Sequence, residues 1–134
     1  MADLTCTAAQ VAVMRAEQSV IFDMIAAVAL TAGQAVYINS NGKVDKADAT
    51  TNKQIKGIAL NAAGAGQAVS VLKEGYVNGF DVSGLAYDAQ VMLSATAGNL
   101  ATTGTIIVGR VVAMPDKAIT KVLYFYDDWT VLRA

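Results

Sequence analysis

Glycine sets the grain of this chain. It recurs at positions 33, 42, 57, 64, 66, 75, 79, 84, 98, 104 and 109, with short apolar stretches between. This is the rhythm of many short strands joined by turns, the pattern of a β-sandwich or barrel. No long linker and no block of charge divides the 134 residues, so one domain is expected.

Single strands can be read within that rhythm. Val36 and Ile38 alternate with Ala35 and Tyr37. Asn41-Gly42 follows as a hairpin signal, and Val44 begins the return. Ile55 to Leu60 reads as a short strand, and Ala63 to Gly66 as a loop. Ala68 to Lys73 alternates, with Val69 and Val71 on one face. A bend at Glu74-Gly75 predicts a fresh strand over Tyr76 to Phe80. Val91 to Leu93 follows, closed by a turn at Ala97-Gly98-Asn99. Thr105 to Met114 is apolar on both faces, which predicts burial on both sides by a second sheet or another subunit. Met114-Pro115-Asp116-Lys117 fits a type I turn, and Ile119 to Tyr126 returns from it.

The first thirty residues are less decided. Thr7 to Gln18 suits a helix capped by Thr7, yet it also places Val11, Val13 and Arg15 on one face of a strand. The all-β context favours an extended segment. The expectation is an extended N-terminal arm over 1–20 and a β-domain over 21–134, a compact barrel or sandwich of short antiparallel strands. An arm of low charge ahead of such a domain is suited to docking on something else.

One pentapeptide occurs twice. Ala32-Gly33-Gln34-Ala35-Val36 and Ala65-Gly66-Gln67-Ala68-Val69 are identical, and Tyr87-Asp88-Ala89-Gln90-Val91 is a looser echo. Each leads into a strand. A reused turn, with glycine supplying positive φ, explains the recurrence better than a tandem binding repeat.

Composition then narrows the chemistry. There is no histidine, so Ser-His-Asp and Cys-His catalysis and His-ligated zinc are excluded. One cysteine, Cys6, permits no internal disulfide and no Cys-rich metal site. Ten basic residues against eleven acidic ones form no basic cluster, which argues against nucleic acid as a partner. The longest apolar run, Met24 to Leu30, is far shorter than the roughly twenty residues of a spanning helix. The N-terminus has neither the charge nor the apolar core of a signal peptide. A soluble protein made in a cytoplasm is expected, although apolar types form 54% of the chain and charged types only 16%.

Individual candidates lead the same way. Gly64-Ala65-Gly66 lacks the third glycine of a dinucleotide loop, since Val69 stands there. The aspartates are scattered, with no calcium-loop spacing, and Asp127-Asp128 reads as a solvated strand end. Glu17 and Glu74 have no evident carboxylate partner. Ser83 lacks a nucleophile elbow, and Cys6 lacks a neighbouring cation. Tyr124, Phe125, Tyr126 and Trp129 form an aromatic cluster suited to core or subunit packing, so Tyr124, Tyr126 and Trp129 are candidate interface residues. No constellation supports catalysis, a cofactor, a metal or a small-molecule substrate.

The order of these segments is similar to that of a known family. Leu30-Thr31-Ala32-Gly33-Gln34-Ala35-Val36-Tyr37-Ile38 is followed by Gly57-Ile58-Ala59 and Ala65-Gly66-Gln67-Ala68-Val69. Then come Glu74-Gly75-Tyr76-Val77-Asn78-Gly79-Phe80-Asp81, Gly84-Leu85-Ala86-Tyr87-Asp88, Val91-Met92-Leu93-Ser94 and Ile107-Val108-Gly109-Arg110-Val111-Val112. Over about residues 28–125 the run resembles the small head decoration, or capsid cement, proteins of tailed bacteriophages. The resemblance implies a non-enzymatic β-domain, made in the host cytoplasm and carried on the outer surface of the virion. It implies a homotrimer bound to the major capsid protein where capsomers meet. The arm, through Leu4, Val11, Val13 and Arg15, is the expected capsid contact. The alternatives are another virion subunit, of tail or fibre, and a small-molecule-binding β-barrel.

Overall fold

The structure, a computed structural model, describes residues 3–14, 19–113 and 121–126. Among them there is no α-helix. A single 3₁₀ turn, Ala8–Gln10, precedes ten strands. These are β1 (Ala12–Val13), β2 (Val20–Ile25), β3 (Ala35–Ile38), β4 (Val44–Lys46) and β5 (Ile55–Ala59). They continue with β6 (Ala68–Asn78), β7 (Gln90–Leu93), β8 (Leu100–Ala101), β9 (Ile107–Ala113) and β10 (Lys121–Tyr126). The strands form one sheet in the order β4-β3-β5-β6-β10-β9-β7-β8, with β1 and β2 also paired to β6. The sheet is antiparallel and curls into a half-barrel, so the chain is all-β.

β6 is the spine. Its first half pairs with β2 and β5, so that Leu72 lies between Ile21 and Ile58. Its second half pairs with β10 and β1, so that Val77 lies between Leu123 and Val13. Eleven residues are enough for one strand to serve four partners.

Adjacent strand residues point to opposite faces, and this sorts the apolar residues into two cores. The larger core takes Ile55, Ile58, Leu72, Val77, Leu93, Val111, Leu123 and Phe125. The smaller takes Val36, Val44, Ala59, Val69 and Val71. The neighbours Ile58/Ala59 and Val71/Leu72 are therefore split between them, and all four are fully buried. Residues 24–30 supply Met24, Ala26, Val28 and Leu30 to the smaller core, which covers the outer face of that half of the sheet. Each large side chain so buried stabilises the fold by about 1.5–3 kcal/mol.

The repeated pentapeptide is one turn used again. Gly33 has φ +95° and Gly66 φ +83°, the positive value needed at the third residue of a type II turn. In each, the glutamine that follows accepts a hydrogen bond from the N–H three residues earlier: Thr31 N–H to Gln34 Oε1 (3.0 Å) and Gly64 N–H to Gln67 Oε1 (2.7 Å). The looser echo keeps the backbone and changes the residue. Asp88 takes φ +65°, and Ala89 N–H closes the turn on Ala86 O at 3.1 Å.

Three expectations need correction. The bend at Glu74-Gly75 does not end a strand; β6 continues through it, and the irregularity is a register shift between Val20 and Ile21 of the partner β2. The stretch 107–113 is buried on one face within the chain, and no second sheet covers the other among the described residues: Ile107 and Arg110 point outward and are exposed. The helical option for residues 7–18 fails over its described part, where a short 3₁₀ turn leads into β1 and the Thr7 side chain makes no cap. The Met114–Lys117 turn lies outside the described residues.

Candidate functional site

The half of the sheet not covered by residues 24–30 presents an open outer face. Inward positions of its central strands are the core residues Val77, Leu123, Phe125 and Val111. The residues between them must face out. Register places Tyr76, Tyr124, Arg110 and Gln90 in one row across β6, β10, β9 and β7. Glu74 and Tyr126 stand together in the next row. The Tyr76 and Tyr124 rings are 5.2 Å apart at 56°. Tyr126 is 46% exposed and Ile107 45%. An open depression of about 260 Å³ lies among Ile107, Val108, Gly109, Arg110, Tyr124 and Tyr126.

Charge frames the tyrosines. On the β6 side, Lys73 Nζ is 3.9 Å from Glu74 Oε1 and 5.6 Å from the Tyr126 ring centre. Tyr124 donates its hydroxyl to Glu74 Oε2 at 3.3 Å. Partial burial, with the Glu74 charge second, pushes the Tyr124 phenol up from its ordinary value. On the β9 side, Arg110 lies 3.4 Å from Asp88 Oδ1 and donates to Asp88 O at 2.9 Å. The Arg110–Asp88 pair is exposed enough to contribute little to stability, whereas the Lys73 and Glu74 side chains are only 21% and 28% exposed. Rigid aromatic rings with a polar rim are the composition of a protein interface.

The arm forms a second candidate, and here it is part of the fold. Leu4 N–H donates to Leu100 O, Thr7 N–H to Gly79 O and Asp81 N–H to Thr5 O, each at 2.8 Å. Leu4, Cys6, Val11 and Val13 are half-buried against the larger core. The seat requires glycine twice. A Cβ at Gly33 would lie 2.4 Å from Cys6 Sγ, and one at Gly79 would lie 2.7 Å from Val11 Cγ2. Burial pushes the Cys6 thiol up, the opposite of an activated thiolate. The Asp3 carboxylate accepts from Ser94 Oγ (2.6 Å) and Asn99 Nδ2 (2.9 Å), and these bonds lower its pKa.

The other singled-out residues hold loops. Asp48 accepts from the N–H groups of Thr50 (2.9 Å) and Thr51 (2.7 Å), and Asp81 from the Ser83 hydroxyl (2.7 Å). Lys121 Nζ donates to Leu85 O at 2.6 Å and sits 5.1 Å from the Tyr87 ring centre, which ties the loop before β7 to β10.

Of the sequence-derived candidates, Tyr124 and Tyr126 share the open face, while Leu4, Val11 and Val13 share the arm seat. Arg15 and Trp129, with Glu17, Asp127 and Asp128, lie outside the described residues. Sequence reasoning missed Arg110 and Glu74, which join the tyrosines only through strand register. It also missed β2, whose Val20, Ile21, Phe22 and Ile25 are exposed.

The model of the phage cement protein family fits residues 5–74, from the arm to the middle of β6. No curated protein and no solved structure matches the chain. The fitted stretch is more than half of the chain and contains the arm with Gly33, as well as Lys73 and Glu74 on one side of the tyrosine face, while Gly79 lies beyond it. The chain belongs to the phage cement protein family.

Proposed function

We propose that this protein decorates the outer surface of a tailed-phage head, binds the major capsid protein across capsomer joints and stabilises the mature shell. The observation that carries this reading is the family match over residues 5–74. A capsid cement role belongs to the family, and with it a structural rather than enzymatic part in the virion. The placement outside the shell, the homotrimer and synthesis in the host cytoplasm belong to the proposal.

The physics is that of linkage. A protein that binds the joined state of two capsomers and not the separated state stabilises the joint by mass action. Many symmetric copies act together, so each contact can be modest. Leu4, Val11 and Val13 would reach the capsid with the sides they turn away from the core. The exposed Ala8–Gln10 turn and the apolar strand β2 flank them in sequence. Arg15 would extend the same contact.

Co-sedimentation with undecorated heads tests the proposal. Stoichiometric binding to heads, with label on the shell in electron micrographs, is the expected result. Absence of binding, or label confined to the tail, would overturn it and favour a tail or fibre subunit.

A further inference from the structure

We propose that the N-terminal arm is a strap latched by Asp3, and that its engagement sets the stability of the seam closing the two ends of the sheet. Those ends, β4 and β8, form no ladder with one another among the described residues. Single backbone bonds join them instead. Ala35 N–H donates to Gly98 O (2.9 Å), Gly98 N–H to Ala47 O (2.8 Å) and Ala49 N–H to Ser94 O (2.9 Å). Ala35 opens β3, and Ala47 and Ala49 follow β4. Residues 94–99, between β7 and β8, therefore hold one side of the seam.

The same turn holds the arm. Asp3 accepts from Ser94 Oγ at 2.6 Å, the short distance of a hydroxyl donating to a carboxylate, and from Asn99 Nδ2 at 2.9 Å. Asp3 also faces Ala101 in an antiparallel bridge, and Leu4 N–H donates to Leu100 O. Ser94, 1% exposed, is the joint: its hydroxyl holds the arm and its carbonyl holds Ala49. The turn is bonded within itself as well. Thr96 N–H donates to Ser94 Oγ (3.0 Å), Asn99 N–H to Thr96 O (3.1 Å) and Ser94 N–H to Asn99 O (3.0 Å). A shift of the Ser94 hydroxyl or the Asn99 amide thus displaces the carbonyls that close the seam. Under the arm, a cavity of about 140 Å³ lies among Leu4, Cys6, Gly33, Gln34, Asn99 and Leu100. Part of this junction is unfilled, so hydrogen bonds rather than continuous packing carry the connection. Asp3 itself is exposed, so the latch can be undone from outside. Linkage makes the coupling reciprocal: whatever draws the arm away softens the seam, and a softened seam releases the arm. This device goes beyond the cement role and operates in the free protein.

The test compares the full chain with Asp3→Ala by amide hydrogen exchange and by the rate at which a thiol reagent modifies Cys6. Cys6 is the one cysteine of the chain and is half-buried beneath the arm, so its labelling reports lifting of the strap. In Asp3→Ala, Leu4 exchange and Cys6 labelling are expected to rise by about fivefold or more. Exchange at Ala35, Ala49 and Gly98 is expected to rise with them, although none of these residues touches Asp3. Ile58 and Leu72, paired with one another in β5 and β6, are expected to keep their protection. A loosened arm with unchanged Ala35, Ala49 and Gly98 would overturn the proposal, because arm and seam would then be independent. Unchanged Leu4 exchange and Cys6 labelling would overturn it by showing that Asp3 is not the latch. An equal rise at Ile58 and Leu72 would mean general destabilisation and would overturn it as well.

Discussion

Two residues show how narrowly the arm is fitted. Cys6 Sγ occupies the space that a Cβ at Gly33 would need, and Gly33 also has a positive φ. Gly33→Ala is expected to cost about 1–3 kcal/mol by overpacking and backbone strain, measured by chemical denaturation. Adding Cys6→Ala should recover part of that cost and leave the strain, so the two changes are expected to be non-additive. A fully additive pair would mean that the contact is not the cause. Asp3 gives a pH prediction. Its pKa is held below the ordinary 3.8 by Ser94 and Asn99, so its bonds to them are fully present above that value. They are lost as pH falls through the lower folded value. Hydrogen-exchange protection of the Leu4 amide should therefore drop below about pH 4 in wild type. In Asp3→Asn, protection should show no such step.

At the level of elements, legibility followed burial. β3, β5, the first half of β6 and β7 were readable as short apolar, β-branched runs bounded by turn residues, and over β3, β5 and β6 both faces are buried. β2 was not. Its Val20-Ile21-Phe22-Asp23-Met24-Ile25 has almost every side chain exposed, so no face imposes a period on the sequence. At β9 the apolar Ile107 stands on the outward face, which no second sheet covers among the described residues. Arg110, on the same outward face, sits between glycine and valine and carries no sequence signal of its own. Glu74 and Arg110 join one surface only because β10 pairs with both β6 and β9. The repeated Ala-Gly-Gln, by contrast, announced its turn, because glycine at positive φ and a capping amide are local chemistry. Two stability expectations belong here. Leu72→Ala, at the point where β6 is flanked by β2 and β5, should cost about 2–5 kcal/mol in denaturant unfolding. Removing residues 1–14 takes away β1 and uncovers the larger core beside Val77 and Phe80. The truncated chain should melt at a markedly lower temperature, and an unchanged melt would mean that the arm is not part of the folded unit.

The whole molecule explains its own composition. A sheet that buries both faces over β3-β5-β6 but only one over β10-β9-β7 needs many apolar residues. It also leaves tyrosines and Ile107 facing out. Under the proposed cement role, this outward apolar surface is covered in the assembled head. The central claim is that this covering stabilises a phage head. The most direct measurement is the temperature at which DNA escapes from undecorated heads, with and without the purified protein at saturation. The account expects release at a higher temperature when the protein is bound. Release at the same temperature, with binding verified on the same heads, would contradict it.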